Sequence, residues 1–156
     1  MDVRCTRYVK LLGIISLCFA WQGEPRAAEQ EENSRVSLEL KITGLHNDKG
    51  RVAVALFDRA EGFPETEHAR AGRVVRISGG TATVRFPRVE PGRYAVAVLH
   101  DENENDKMDF NFLGMPTEGF GFSRNPQVFF GPPSFDSAAI SLRSRFSMAR
   151  IVVRYF

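Results

Sequence analysis

Apolar and polar residues alternate along much of this chain, which is the pattern of β-strands that bury one face. The clearest case starts at residue 36, where every second side chain is apolar (Val36, Leu38, Leu40 and Ile42). After turn-forming residues at 47–50 (NDKG), a second alternating run covers 51–58. Because a short turn separates the two runs, we predict that they pair as a β-hairpin.

Further apolar runs predict five more strands, over 73–77, 81–86, 94–100, 138–142 and 148–155. The run at 94–100 (YAVAVLH) is apolar at nearly every position, which is typical of a central strand covered on both faces. Between the second and third strands, a charged excursion has room for a single helical turn over 65–71. About seven short strands without a long helical period predict an all-β fold, an antiparallel β-sandwich of immunoglobulin-like or prealbumin-like type, over residues 35–156. Ten side chains are expected to be mostly buried in it: Val36, Leu38, Leu40, Val52, Val54, Leu56, Val84, Phe86, Val96 and Val98.

Residues 101–137 have no clear periodicity, yet they contain seven of the 13 Phe and four of the eight Pro of the chain. Disordered segments are poor in aromatic residues, so we interpret this stretch as one long ordered aromatic loop. It would be packed by its own phenylalanines: Phe110, Phe112, Phe120, Phe122, Phe129, Phe130 and Phe135. The loop is either a lid that closes one end of the sandwich or the wall of a ligand site.

Residues 1–28 have the character of a secretory signal peptide. Positive charges at Arg4, Arg7 and Lys10 precede a short apolar run over 11–20, which at 1.5 Å per residue is too short to span a ~30 Å hydrocarbon core. The alternatives are an uncleaved membrane anchor and a lipoprotein acylated at Cys18. Cleavage would leave a polar tail over 29–34 and a periplasmic or secreted domain with no stable membrane span.

Removing this leader changes the charge and the thiol content. It carries four of the 21 Lys and Arg and two of the 19 Asp and Glu, so 17 basic and 17 acidic residues remain. A domain of zero formal net charge gives no argument for nucleic-acid binding, which needs a concentrated basic face. Both cysteines, Cys5 and Cys18, also leave with it, so disulfides and cysteine catalysis are excluded from the exported form.

The best candidate for chemistry is the acidic run 101–109 (DENENDKMD). Hard cations such as calcium take six to eight oxygen ligands, and alternating Asp and Asn residues can direct several oxygens at one point. The candidate ligands are the side chains of Asp101, Asn103, Asn105 and Asp109 and the backbone carbonyl of Lys107. Two features of the helix–loop–helix calcium motif are missing, because Asp106 replaces its Gly at position 6 and Phe112 its Glu at position 12. The alternative is a solvated hairpin whose Asn and Asp residues bond their own backbone.

No catalytic residue is predicted. The three histidines, His46, His68 and His100, lack a short metal-ligand spacing, and the sequence has no nucleophile elbow, phosphate loop or HExxH motif. We interpret His100, at the end of a strand, as an anchor for the adjacent loop.

Several blocks of the chain resemble the bacterial exported family called domain of unknown function 2141. They are 44–50 (GLHNDKG), 54–58 (VALFD), 62–64 (GFP), 91–96 (PGRYAV), 100–103 (HDEN), 111–114 (NFLG), 121–123 (GFS) and 131–135 (GPPSF). The resemblance runs from about Val36 to the C-terminus. In the acidic loop the family pattern usually reads DENGNGK, whereas this sequence has Glu104 and Asp106 in place of the two glycines. The block at 91–96 is also similar to transthyretin-like and collagen-adhesin-repeat sandwiches.

The resemblance implies no specific activity, since a shared fold does not give function. The leading hypothesis is an exported, non-enzymatic domain that binds calcium, a small ligand or an envelope protein at the loop 101–137. The alternatives are a transthyretin-like hydrolase and a structural accessory protein of the cell envelope.

Overall fold

The computed structural model describes residues 35–129 and 131–156, in which two β-sheets pack face to face. The eight strands are β1 Val36–Thr43, β2 Arg51–Phe57, β3 Ala71–Val75, β4 Ala82–Val89, β5 Gly92–Asp101, β6 Gly119–Phe122, β7 Ile140–Leu142 and β8 Phe146–Val152. Helical structure is confined, within these residues, to a 3₁₀ turn at Thr66–His68 and a one-turn helix α1 at Phe135–Ala138. The all-β sandwich is therefore confirmed. Within residues 35–129 and 131–156, no helix is long and apolar enough to span a membrane.

The smaller sheet has the strand order β4-β1-β8, and the larger sheet has the order β3-β2-β5-β6, with β7 added to the end of β5. All pairings are antiparallel except that of β1 with β8, which is parallel. The final strand thus runs in the same direction as the first one and forms one edge of the smaller sheet.

The predicted hairpin of β1 and β2 is wrong. β1 pairs with β4 and β8, whereas β2 lies in the opposite sheet between β3 and β5. Alternation shows only that both strands bury one face, and both faces point into the same core from opposite sides. The turn that joins them is fixed by Asp48, whose carboxylate accepts the N–H groups of Gly79 and Gly80 at 2.8 Å each.

The core between the sheets is built from the alternating apolar side chains. All ten side chains that were predicted to be buried belong to it. β1 illustrates the pattern, since Leu38, Leu40 and Ile42 have no exposed surface while Lys41 is exposed.

A second apolar cluster covers the outer face of the larger sheet. Its buried members are Ala55, Phe57, Ala95, Phe120, Phe122, Phe135 and Ala138. β5 therefore has apolar packing on both faces, with Val96 and Val98 in the first core and Ala95 in the second, as predicted for a central strand.

The later part of the segment 101–137 packs on this outer face, and the segment contains β6 and most of α1 as well as irregular loops. The prediction that its phenylalanines pack it is confirmed for Phe120, Phe122 and Phe135. It is wrong for Phe110, Phe112 and Phe129, which are exposed. Phe130 and the predicted leader and tail (1–28 and 29–34) lie outside the described residues.

Candidate functional site

The acidic loop (residues 101–109) begins at the last residue of β5, where Asp101 is fully buried. Its Oδ1 accepts the N–H of Asn105 at 3.0 Å, and its Oδ2 accepts the N–H of Asp106 at 2.9 Å. Arg51, which faces Asp101 across the ladder of β2 and β5, donates from Nε to Oδ2 at 3.1 Å. Asp101 therefore connects the sheet to the loop that follows it.

Two residues of the acidic loop adopt left-handed backbone conformations. Glu104 has a φ of 62° and Asp106 a φ of 63°, a region that is uncommon for residues other than glycine. The family pattern DENGNGK has glycine at both positions. The left-handed backbone explains why glycine is favoured there. The side chain of Asp106 has a partner of its own, because its Oδ1 lies 2.7 Å from Nη2 of Arg51, which also donates to the carbonyl of Glu104 at 3.0 Å.

Three of the predicted ligands converge on one another. Nδ2 of Asn103 donates to Oδ2 of Asp109 at 2.6 Å, and Nδ2 of Asn105 lies 3.1 and 3.0 Å from the two oxygens of Asp109. Oδ1 of Asn105 accepts the N–H of Lys107 at 2.9 Å, while the side chain of Lys107 is exposed. The alternation of Asp and Asn thus does place these side chains together.

Glu118 joins the site although sequence reasoning missed it. It directly precedes Gly119 of β6, which pairs with His100, so the sheet brings it beside the end of β5. Its side chain is buried and accepts the N–H groups of Glu102 at 3.1 Å and Asp109 at 3.3 Å. Spacing along the chain gives no signal for it, because the strand β6 was not predicted.

The two buried carboxylates have opposite pKa shifts. Burial alone would raise the pKa of Asp101, but the hydrogen bonds from the N–H of Asp106, from Arg51 and from the N–H of Asn105 outweigh it and lower the pKa. Burial raises the pKa of Glu118, and the negative charges of Asp101 and Asp109 act in the same direction. The N–H groups of Asp109 and Glu102 oppose this rise without reversing it. Negative charge at this end of the sheet is therefore only partly compensated.

In the described part of the chain, no three His, Cys, Asp or Glu side chains are grouped so as to hold a metal ion. A cation in this loop would depend on amide and backbone oxygens as well as carboxylates. Such a mixture is the ligand set that calcium accepts.

His100 is an anchor and not an accessible base. It is fully buried, its Nε2 donates to the carbonyl of Lys49 at 2.9 Å, and its Nδ1 lies 2.5 Å from the hydroxyl of Tyr155. That hydroxyl also accepts the N–H of His46 at 3.2 Å. Burial raises the pKa of Tyr155, so its hydroxyl stays protonated at neutral pH and can donate to His100. Nε2 of His100 thus ties the turn at 47–50 to β5, and Nδ1 ties β5 to Tyr155.

The acidic loop leads into a small hairpin over residues 109–117, called the apolar hairpin below. Its base is a bridge between Phe110 and Pro116 and a hydrogen bond from the N–H of Thr117 to the carbonyl of Asp109 at 2.9 Å. Four of its large apolar side chains are exposed: Phe110, Phe112, Leu113 and Met115. The acidic loop and an ordered apolar protrusion are therefore neighbours in the chain, joined at Asp109.

A comparison with known protein families matches residues 40–148, from β1 to β8, to a family described as "Uncharacterized protein conserved in bacteria (DUF2141)". The chain belongs to this family. The match includes both sheets, the acidic loop and the apolar hairpin, so these features lie within the family's domain and not in an addition to it. No curated protein and no solved structure matches the chain.

Proposed function

We propose that this member of the family is an exported, non-enzymatic binding domain whose acidic loop takes up calcium and thereby fixes the apolar hairpin. The observation that carries the proposal is the convergence of Asn103, Asn105 and Asp109. Asp109 is also the first residue of the hairpin, so a cation held by its carboxylate would restrain both strands of that hairpin. Export is inferred from the leader-like character of residues 1–28. An exported location fits the millimolar calcium affinities of extracellular modules.

The backbone of the loop favours this interpretation. Asp101 at position 1 accepts N–H groups from positions 5 and 6, and position 6 is left-handed, as the glycine of a calcium loop is. The oxygens of Asn103 and Asn105 are held by the N–H groups two residues further on, at 3.1 and 2.9 Å. A loop preorganised in this way loses less conformational freedom when it binds a cation.

Two features set the expected affinity low. Arg51 already neutralises part of the negative charge at Asp101, and no side chain supplies the bidentate carboxylate that the helix–loop–helix motif has at position 12. We expect a dissociation constant of roughly 10⁻⁴–10⁻³ M.

Thermal unfolding with calcium, magnesium or a chelator tests the proposal. Binding to the folded form alone stabilises it by RT ln(1 + [L]/Kd), so millimolar calcium should add about 1 kcal/mol, or roughly 3–6 °C for a domain of this size. Magnesium should add less, because it demands stricter octahedral geometry.

The matched variants are Asp109→Asn and Glu104→Gln. Each removes one negative charge from the loop, but Glu104 is exposed and only its carbonyl has a protein partner. The calcium effect should disappear in Asp109→Asn and remain in Glu104→Gln. An unchanged unfolding midpoint for the wild type across about 0.1–10 mM calcium, a range that brackets the expected affinity, would leave the loop as a hairpin held by hydrogen bonds within the protein alone. Equal losses in both variants would show a diffuse charge effect instead of a site.

A further inference from the structure

The tip of the apolar hairpin exposes more hydrophobic surface than folding requires. Phe112 is 94% exposed, Leu113 72%, Phe110 60% and Met115 43%. Single exposed apolar residues are ordinary on protein surfaces, but four large ones within six positions form a patch, and such patches mark interaction sites. None of the four belongs to either apolar core of the described chain.

The tip is also unusual in how its backbone is satisfied. Oδ1 of Asn111 accepts the N–H groups of Leu113 at 2.9 Å and Met115 at 3.0 Å. The backbone of Asn111 donates to the carbonyl of Met115 and accepts the N–H of Gly114, both at 2.9 Å. One asparagine therefore organises the turn and satisfies most of its N–H groups without water. A segment that enters an apolar medium needs this internal pairing, because an unpaired N–H costs several kcal/mol there.

We propose that this tip inserts into the interfacial region of a lipid surface, with Phe112 and Leu113 as the inserting side chains. The tip is a short hairpin, its polar backbone groups are largely paired internally, and its four large apolar side chains are all exposed. These are the properties of a shallow interfacial anchor, in which apolar side chains lie at the boundary of headgroups and acyl chains. Phe110 and Met115, one step nearer the base, would lie at the level of the headgroups.

The charges behind the tip predict which lipids it prefers. Phe112 is three residues from Asp109, so the carboxylate of Asp109 lies within roughly 10 Å of it at no more than about 3.3 Å per residue. That separation is close to one Debye length at physiological salt, so anionic headgroups should repel the loop to a measurable degree. Without calcium the tip should therefore prefer zwitterionic to anionic vesicles. Any reversal of that preference by calcium rests on the proposed function, whereas insertion itself does not.

Co-sedimentation with phosphatidylcholine vesicles, in the presence of a chelator, measures insertion independently of calcium. Phe112→Ser and Leu113→Ser should each weaken binding by about tenfold, because each removes one large apolar side chain from the lipid. The matched control is Val74→Ser on β3, which removes a side chain that is 53% exposed on another part of the surface. All proteins share the same N-terminal residues, so any contribution of residues 1–34 cancels in the comparison.

A second readout does not depend on affinity. Phe112→Trp places an indole at the tip, and the only native tryptophan, Trp21, is lost with a cleaved leader or can be subtracted. Its fluorescence should shift to the blue with vesicles and be quenched by brominated acyl chains. Unchanged emission, or equal binding by the tip variants and Val74→Ser, would overturn the proposal and leave a pocket on a protein as the occupant. Tighter binding to anionic vesicles in chelator would overturn the predicted lipid preference. Failure of the calcium titration alone would leave insertion intact, because the phosphatidylcholine measurement contains no calcium.

Discussion

The two halves of the segment 101–138 are neighbours in sequence but are held by different forces. From 118 to 138 the chain is fixed by burial, with Phe120, Phe122 and Phe135 packed on the outer face of the larger sheet. From 101 to 117 the large apolar side chains at the hairpin face solvent, and the path is set by hydrogen bonds from Asp101, Asn105, Asn111 and their neighbours.

This difference shows that ordered structure does not require a hydrophobic core at every point. Side-chain-to-backbone hydrogen bonds can order a loop, but each contributes only about 0.5–1.5 kcal/mol net. They also respond to pH and to cations, whereas burial does not. The first half is therefore suited to a conformation that ligands adjust, and the second half to a fixed support for it.

The largest expected contrast compares one phenylalanine from each half. Phe122→Ala should destabilise the domain by about 3–5 kcal/mol, because it removes a buried ring that packs against Phe63 and Phe120. Phe112→Ala should change stability by less than about 0.5 kcal/mol, since its ring touches solvent. Denaturant unfolding of both variants measures the two values. Similar losses would mean that the hairpin packs against the core in solution.

The second prediction concerns the junction of the loop with the sheet. Asp101→Ala should cost about 1–3 kcal/mol, because the N–H groups of Asn105 and Asp106 and the guanidinium of Arg51 lose a buried partner. Asp106→Asn, which keeps a residue that tolerates the left-handed backbone and removes only the negative charge facing Arg51, should cost about 0–1 kcal/mol. Chemical denaturation in chelator separates the two. If the Asp101 and Asp106 variants have the same free energy of unfolding, Arg51 and not Asp101 holds the acidic loop to the sheet.

The third prediction uses the opposite pKa shifts of Asp101 and Glu118. The lowered pKa of Asp101 contributes stability that is complete above its unfolded value of about 3.9 and is lost as pH falls through the folded pKa. The raised pKa of Glu118 contributes stability below its unfolded value of about 4.3, and this is lost as pH rises through the folded pKa.

Asp101→Asn should therefore lose less stability than the wild type on acidification below about pH 4. Glu118→Gln should lose less stability than the wild type as pH rises above the unfolded value of about 4.3. Unfolding midpoints over this pH range, in chelator, measure both effects. If a variant shifts the unfolding midpoint by the same amount at every pH, the residue it replaces is not the source of the pH dependence.

The smallest expected effect on global stability is that of Asn111→Ala. Its hydrogen bonds lie in an exposed hairpin, so the free energy of unfolding should fall by less than about 1 kcal/mol. Local order should respond far more, with amide exchange at Leu113 and Met115 accelerating towards that of an open loop. Hydrogen exchange by NMR reports these two amides directly. The exchange rate of the Asn47 amide, in another turn, serves as a control. If these amides stay protected from exchange in Asn111→Ala, the bridge between Phe110 and Pro116 orders the tip instead.

The sequence predicted the strands well because alternation reports burial residue by residue. Val36 to Ile42 and Val52 to Leu56 were assigned to the core on this basis, and the structure confirms them. The partner of each strand could not be found in this way, since a strand that buries one face looks the same in either sheet. The pairing of β1 with β8, separated by about a hundred residues, has no local signal.

The acidic loop was predicted for a similar reason. The alternation of Asp and Asn is local, and the side-chain amides of Asn103 and Asn105 do meet Asp109, while the role of these residues as metal ligands stays a prediction. Arg51 and Glu118 were missed because they reach the loop through the neighbouring strands of β5. The exposure of Phe112 was also unpredictable, since an aromatic residue in an irregular segment has the same sequence character whether it packs inward or projects.

The sequence by itself determined which residues face a core, where the turns fall and which short run brings Asn and Asp side chains together. Each of these depends on contacts between residues a few positions apart, which periodicity and turn chemistry record. Only the tertiary structure decided how the strands divide between two sheets, which charges surround Asp101 and which phenylalanines remain outside. Those outcomes depend on contacts between distant segments, whose free energy is set by how the whole chain packs.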